Sequence, residues 1–320
     1  MAPRLVFVHG IGGPRDPAAE LDGWTIALAA GMRAAGHSAL ARSLEAAPGE
    51  HAAFASYADL FGRPQAQGAD DTPAEAELLA ALVTELVDEA NELAMGDGAD
   101  PEELRILAHA RAEAAPTGQQ QGVPDLARRV LNVVTTLLSL RPWDGAGEWI
   151  TPKLMVRHLG QVSRYLARTE PDAAGVTLDA RIRARVAEAV GDGPAVVVAH
   201  SLGTVVALEC LHELRADVRL FVTLGSPIAM RGVVLPRLRP QPPAVPDGTL
   251  RWLNFWDRDD VIAVRPHLER DLAPGASGVR PVSARIDSDG LWVHNATKYL
   301  AQAAVAGPVA EALIGTAGLG

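Results

Sequence analysis

The chain has 320 residues, of which 48% are hydrophobic and 21% charged, and this composition is typical of a globular protein with a substantial core. Its 29 lysines and arginines against 39 aspartates and glutamates give a net charge of −10, which argues against a nucleic-acid partner because phosphate binding needs a basic face. The single cysteine, Cys210, excludes an intramolecular disulfide. The sequence has neither an H-E-x-x-H motif nor a cysteine cluster, so we expect no metal and no cofactor.

The apolar segments of the sequence are too short for a membrane span, which needs roughly 18 residues. The closest approach, Val130–Leu140, is interrupted by polar residues such as Asn132. The N-terminal apolar run Leu5–Val8 stops at His9 and is shorter than the apolar stretch of a signal peptide. We therefore expect a soluble, cytoplasmic protein without a transmembrane segment.

Continuous apolar runs predict the strands, as in parallel sheets that helices cover on both faces. In chain order these runs are Leu5–Val8, Ala195–Ala199, Leu220–Leu224 and Leu250–Trp256, with weaker candidates at Ser38–Leu44 and Val279–Ile286. Helical periodicity lies between them, at Ala18–Ala35, Leu178–Val190, Leu202–Leu214 and Ala296–Ile314. The alternation predicts an α/β fold with a mostly parallel sheet of about six strands flanked by helices.

Residues 46–171 break this alternation and predict a large all-helical insert within a core formed by residues 1–45 and 172–320. The predicted helices are Pro73–Ala94, Pro101–Ala114, Pro124–Leu140 and Lys153–Ala167. Such an insert serves either as packing or an oligomer interface, or as a lid. Its position favours a lid, because ligands in open α/β sheets bind beyond the carboxyl ends of the strands. The apolar candidates to line an acyl site are Leu131, Val134, Leu138, Trp143 and Trp149.

A strand-to-helix corner at Ser201 is the strongest chemical signal. The buried run Ala195–Ala199 leads through His200 into Ser201-Leu202-Gly203 and then a predicted helix, which is the layout of a nucleophile elbow. The residues two before and two after the nucleophile must be small, because they approach each other closely. Ala199 replaces the usual glycine, and its one methyl group is tolerable there.

The glycine-rich segment Val8–Gly13 follows the first predicted strand. Backbone N–H groups in such a loop can stabilise the oxyanion of an acyl-transfer intermediate. A phosphate site is the alternative, but the segment lacks the G-x-G-x-x-G pattern and a following Lys-Ser/Thr pair.

Candidates for the acid and the base follow in the chain. Three aspartates, Asp257, Asp259 and Asp260, follow the fourth strong strand, and a carboxylate there can orient an imidazole. His294 stands just before the last predicted helix, and His267 is its rival. The order Ser, Asp, His is that of a hydrolase of the elbow type.

Taken together, these segments resemble the lipase- and serine-esterase-like members of the α/β-hydrolase superfamily. In that family HG-x-G follows the first core strand, G/A-H-S-L-G forms the elbow and T-L-G-S/T-P ends the next strand. A D-x-V/I-A/P segment supplies the acid, and a histidine ahead of N/S-x-x-Y/W supplies the base. The matching segments here are His9–Gly12, Ala199–Gly203, Thr223–Pro227, Asp260–Ala263 and His294–Tyr299, with Tyr299 one residue late. The resemblance covers about residues 1–45 and 176–315 and leaves out the insert.

The resemblance implies a role for each matched residue. Ser201 would be the nucleophile, His294 the general base and acid, and Asp260 the orienting acid, with Asp257 as the reserve. The backbone N–H groups of Leu202 and of Ile11 or Gly10 would form the oxyanion hole. The implied reaction is hydrolysis of a small-molecule or lipid carboxylic ester, and thioesters remain open.

Two other classes stay open. One is a catalytically inactive hydrolase-fold binding protein, since a fold does not establish a function. The other is a membrane- or partner-docking protein that works through the insert, where the predicted helix Pro124–Leu140 carries a broad apolar stripe. The simpler interpretation of that stripe is that it packs against the sheet.

Overall fold

The chain forms an α/β protein in the computed structural model, which describes part of the sequence. The described residues are 2–10, 12, 16–62, 73–95, 100–114, 123–137, 140, 152–214, 216–260, 262–263, 265–288 and 293–315. The strands are β1 (Arg4–Val8), β2 (Ala52–Ala55), β3 (Ala195–His200), β4 (Val218–Leu224), β5 (Trp252–Asp257) and β6 (Pro281–Ile286). The helices are α1 (Pro17–Ala34), α2 (Ser38–Ala46), α3 (Pro48–His51), α4 (Pro73–Ala94), α5 (Pro101–Ala114), α6 (Val123–Leu137), α7 (Pro152–Ala167), α8 (Leu178–Val190), α9 (Leu202–Glu213), α10 (Ala296–Leu300) and α11 (Ala303–Ile314).

The six strands form one sheet in the order β2-β1-β3-β4-β5-β6, and every neighbouring pair is parallel. The chain runs from β1 to β2 in one direction and then resumes on the other side of β1 with β3. The strand order therefore reverses between β1 and β3. In open α/β sheets, the crevice beyond the carboxyl ends of the strands at such a reversal is the usual place for a ligand.

Helices cover the sheet because its central strands are apolar on both faces. All six residues of β3 are buried, as are four of the five in β1. On one face, side chains of the strands form a single core with α1, α10 and α11, which includes Leu5, Val198, Leu28, Tyr299 and Val305. On these grounds the α/β class and the six-stranded sheet are as the sequence predicts, and the sheet is wholly parallel rather than mostly so.

Two local predictions are wrong. Ser38–Leu44 is not a strand but part of helix α2, which buries Ala41 and Leu44 three residues apart on its inner side. The second strand is instead Ala52–Ala55, in a stretch predicted to hold no strand, and its partner is β1. Pairing with β1 stabilises this alanine-rich segment, and no such pairing is visible in a local pattern.

The chain divides into two compact units. The first comprises Met1–Leu60, Ala180–Ala229 and Leu238–Gly320, and it contains the whole sheet. The second comprises Phe61–Asp179 and Met230–Arg237 and contains helices α4 to α7. The proposed roles of the insert, as a lid or otherwise, stay predictions.

Within the second unit, helix α6 packs against α4, α5 and α7. Its apolar stripe is buried through Val130, Val133, Val134 and Leu137. Of the proposed acyl-site residues, Val134 is buried and Leu131 is partly buried, and Leu138, Trp143 and Trp149 lie outside the described residues. Among the helices in the described part of the chain, none is long and apolar enough to cross a membrane.

Candidate active site

Ser201 stands at a strained corner between β3 and α9. Its backbone has φ 55° and ψ −132°, a conformation that residues with a side chain rarely adopt and that costs on the order of 1–3 kcal/mol. Two hydrogen bonds hold the corner on either side of the serine. The Ser201 N–H donates to the Leu224 carbonyl at 3.1 Å, and the Thr204 hydroxyl donates to the Ser201 carbonyl at 2.7 Å.

Glycines on both sides let the loop after β1 approach this corner. A Cβ atom on Gly203 would lie 2.2 Å from the His9 carbonyl oxygen, and one on Gly10 would lie 2.5 Å from the Ser201 Cβ. Both distances are far shorter than van der Waals contact. The small residues that the elbow pattern requires therefore have a direct steric reason, and Ala199 fits within the fully buried strand β3.

The structure brings Ser201, His294 and Asp260 together in a hydrogen-bonded row. The His294 Nε2 atom lies 3.0 Å from the Ser201 Oγ atom. The His294 Nδ1 atom lies 2.9 and 2.8 Å from the two carboxylate oxygens of Asp260. With a neutral imidazole, Nδ1–H donates to Asp260 and Nε2 accepts the serine proton, which is the arrangement that an activated nucleophile requires.

Asp260 is fully buried and ionised. Burial opposes the charge, but attraction to His294, hydrogen bonds from His294 and Tyr299, and the nearby His200 together hold the pKa of the carboxyl below its ordinary value. The Ile262 N–H donates a further hydrogen bond to Oδ1 at 3.0 Å. A carboxylate with this many donors is suited to stabilise an imidazolium.

The two competing aspartates face other partners. Asp257 accepts hydrogen bonds from the Ser288 N–H and the Ser288 hydroxyl, each at 2.6 Å, and from the Asp259 N–H at 3.0 Å. The Asp259 side chain is exposed and lies 3.8 Å from Arg258. Of the three aspartates that the sequence offered, the structure places Asp260 beside His294.

His267, the rival histidine, has a different environment. Its Nδ1 atom lies 3.2 Å from a Glu269 carboxylate oxygen, and its ring meets the Trp256 ring edge-on. The ring of His200, the residue before the serine, lies against the His294 ring with centroids 4.6 Å apart and the planes tilted by 36°. The hydrogen bond to Ser201 Oγ is formed by His294.

The predicted oxyanion donors are placed in part. Leu202 begins α9 directly after Ser201, so its N–H belongs to the unsatisfied first turn of a helix, where the dipole favours negative charge. Gly10 lies against the Ser201 side chain. Ile11 lies outside the described residues.

Sequence reasoning missed the tyrosine that holds the loop after β1. Tyr57 donates its N–H to His9 Nε2 at 3.2 Å and its hydroxyl to the His9 carbonyl oxygen. The His9 ring also stacks with the Phe54 ring and with the Tyr57 ring. Burial raises the pKa of the Tyr57 hydroxyl, which therefore keeps the proton that it donates. No pattern in the sequence marks Tyr57.

Gly225 and Tyr299 complete the surroundings of the acid. A Cβ atom on Gly225 would lie 2.5 Å from Asp260 Oδ2 and 3.1 Å from His294 Nδ1, and the Tyr299 hydroxyl lies 2.6 Å from Asp260 Oδ2. The motif Thr223–Pro227 drew attention to Gly225 only as the end of a strand. Over the described residues, no group of three histidine, cysteine or acidic side chains is placed to hold a metal ion.

Comparisons of the sequence with protein-family models and with curated proteins, and of the fold with solved structures, returned no match. The chemistry of this protein must therefore be inferred from its own residues. Those residues define an α/β protein with a serine, a histidine and an aspartate in hydrogen-bond contact at the carboxyl ends of parallel strands.

Proposed function

We propose that this protein is a serine hydrolase that cleaves carboxylic esters through an acyl-enzyme on Ser201. One observation carries the proposal: His294 is hydrogen-bonded on both sides of its ring. Its Nε2 atom lies 3.0 Å from Ser201 Oγ, and its Nδ1 atom lies 2.8 Å from Asp260 Oδ2. Serine is a weak nucleophile at neutral pH, and it gains reactivity when an oriented base can take its proton. The strained corner at Ser201 and the neighbouring helix N-terminus support the same chemistry.

In the first half-reaction, the Ser201 oxygen attacks the ester carbonyl while its proton moves to His294 Nε2. Asp260 stabilises the resulting imidazolium through Nδ1–H and keeps its own negative charge. The oxyanion takes the backbone N–H of Leu202 and a donor from the loop that contains Gly10. The imidazolium then protonates the leaving alcohol, which departs as the acyl-enzyme forms.

In the second half-reaction, water attacks the acyl-enzyme and gives its proton to His294 Nε2. Collapse of the second tetrahedral intermediate releases the carboxylic acid and returns the proton to Ser201. One ester and one water thus become one acid and one alcohol. The acyl chemistry extends to thioesters, so a thioester belongs in the substrate panel beside lipid-like esters.

The direct test compares wild type with Ser201→Ala on p-nitrophenyl esters of increasing acyl length and one thioester. Loss of a triad member typically lowers kcat by about 10⁴-fold or more, and we expect that loss without unfolding. A fluorophosphonate probe should modify wild type at Ser201 and leave Ser201→Ala unlabelled.

Ser43→Ala is the matched control. Ser43 also has a histidine nearby, with its Oγ atom 3.5 Å from His51 Nε2, but it lies on an exposed part of helix α2. This variant should keep full activity and labelling. Activity of Ser201→Ala within about tenfold of wild type would contradict the proposal, and a folded wild type that neither labels nor hydrolyses any ester would favour a binding protein on this fold.

A further inference from the structure

Tyr299 links three parts of the candidate site through one hydroxyl group. The residue lies in the short helix α10, five positions after His294, and its ring belongs to the core between the sheet and helix α1. The hydroxyl oxygen lies 2.6 Å from Asp260 Oδ2 and 3.1 Å from the backbone nitrogen of Asp257. The side chain is fully buried.

The direction of these two hydrogen bonds is fixed by the number of protons. The Asp257 N–H can only donate, so the Tyr299 oxygen accepts there. The single hydroxyl proton is therefore directed at the Asp260 carboxylate. Burial raises the pKa of the Tyr299 hydroxyl, and the neighbouring Asp260 charge raises it further, so the hydroxyl keeps the proton that it donates.

Asp260 depends on this donor because the carboxylate has no contact with solvent. Its Oδ1 atom accepts from the Ile262 N–H and from His294, whereas its Oδ2 atom accepts from Tyr299 and from His294. Without the phenol, Oδ2 would keep only the imidazole as a partner among these groups. A buried carboxylate that loses a donor becomes more basic and less firmly oriented.

We propose that Tyr299 is a positioning residue that acts through Asp260, which it holds opposite His294 Nδ1 in a weakly basic state. The inference rests on the proposed hydrolase function as far as the rate is concerned. The effect of Tyr299 on the proton affinity of the His294–Asp260 pair is independent of that function, because it can be measured in the protein without substrate.

The other titratable groups around the pair do not supply the same interaction. His200 contacts the His294 ring at a tilted angle, and the Asp257 carboxylate accepts hydrogen bonds from Ser288. Arg258 and Asp259 in the same loop are exposed and lie near each other. The hydrogen bonds described for Asp260 come from His294, Tyr299 and the Ile262 N–H, so removal of the Tyr299 hydroxyl changes a specific contact.

The test uses Tyr299→Phe, which deletes the hydroxyl and keeps the ring in the core. We expect kcat on a short p-nitrophenyl ester to fall about tenfold with KM within about twofold, because a hydrogen bond to a charged group is lost and the reacting serine is not touched. The pair should take up its proton at higher pH, since the carboxylate attracts the imidazolium more strongly. In the pH profile of kcat/KM, the midpoint of the acid limb should therefore move to a pH higher by about 0.5 to 1 unit.

An NMR titration of the His294 ring measures the same shift without substrate. Tyr165→Phe is the control, because it also removes a hydroxyl from a fully buried tyrosine but lies in the second unit. It should leave both the titration and kcat at the wild-type values. In wild type itself, the Tyr299 hydroxyl proton should exchange slowly with solvent, and its chemical shift should follow the His294 titration.

The outcomes separate the two claims. A raised midpoint in Tyr299→Phe with unchanged Tyr165→Phe supports the role of Tyr299, and an unchanged or lowered midpoint overturns it. Wild type that hydrolyses esters while Tyr299→Phe retains kcat within twofold also overturns it. Wild type that neither labels nor hydrolyses contradicts the proposed function, and the titration of His294 then still decides whether Tyr299 controls the proton affinity of the pair.

Discussion

At Gly225 a single added methyl group should damage the site by displacing its acid. The residue follows β4, has φ 52°, and has no room for a side chain on the side of the acid. In Gly225→Ala the new Cβ atom would lie 2.5 Å from Asp260 Oδ2. Ordinary contact begins near 3.4 Å, so the carboxylate must move by about 1 Å or the loop must shift.

Two costs are expected, and they can be separated. The positive φ alone costs an alanine about 1 kcal/mol, which lowers the melting temperature by a few degrees. Displacement of Asp260 affects the rate instead. A misplacement of about 1 Å in a catalytic group can cost about 10²-fold, and complete loss of the orienting acid costs about 10⁴-fold. We therefore expect kcat to fall by between about 10²- and 10⁴-fold.

Gly191→Ala provides the control for backbone strain. Gly191 has φ 68°, and an added Cβ would meet only the Arg4 side chain, at 4.0 Å. Both variants should lose the stability that the positive φ costs, and Gly225→Ala should lose more because of its clash, but only Gly225→Ala should lose activity on a short p-nitrophenyl ester and react slowly with fluorophosphonate. If Gly225→Ala keeps kcat within about threefold of Gly191→Ala, the steric account of this position is wrong.

Two further predictions concern the thiol and the helical insert. Burial, with a contribution from Glu213, raises the pKa of the Cys210 thiol to about 12, so iodoacetamide at pH 8 should leave it unmodified in the native protein and alkylate it in guanidinium chloride. Rapid alkylation of folded protein would contradict this. If the insert lines an acyl site, Leu131→Ala should change the preferred acyl length across the ester panel more than it changes the rate on a short ester, and an identical length profile in both proteins would count against the lid.

The central strands could be predicted because burial on both faces leaves a mark in the sequence. Residues 195–199 read AVVVA, and the corresponding strand β3 is buried throughout. The edge strand β2 could not be predicted in the same way. Its four residues, AAFA, have weak strand propensity, and their conformation depends on the parallel partner β1, which is some 45 residues away in the chain.

Helix α2 shows the opposite error. Ser38–Leu44 contains enough apolar residues to suggest a strand, but Ala41 and Leu44 are spaced for one face of a helix that packs beside α1. The apolar residues of a segment this short fit both the helical and the strand periodicity, and the element against which the segment packs decides between them.

Among the residues of the candidate site, too, some are marked by a local sequence pattern and others are placed only by the fold. Ser201 could be predicted from the corner that its neighbours impose, and His294 and Asp260 from their order along the chain. The preference for Asp260 over Asp257 comes from the resemblance of Asp260–Ala263 to the family segment, because spacing alone does not reveal where the loop turns after β5. Tyr57 was missed, and Tyr299 was noted only as part of the segment after His294, because each acts through one hydroxyl group that reaches a partner set by the fold, His9 in one case and Asp260 in the other.

The sheet order explains why a glycine must stand at position 225. Ser201 follows β3 and Asp260 follows β5, and these strands are separated by β4. Adjacent strands lie about 4.8 Å apart, so the nucleophile and the acid are about two such steps from each other. The His294 imidazole spans this gap with hydrogen bonds of 3.0 and 2.8 Å. The ring and the carboxylate therefore pass over the end of β4, where Gly225 leaves the space that any side chain would fill.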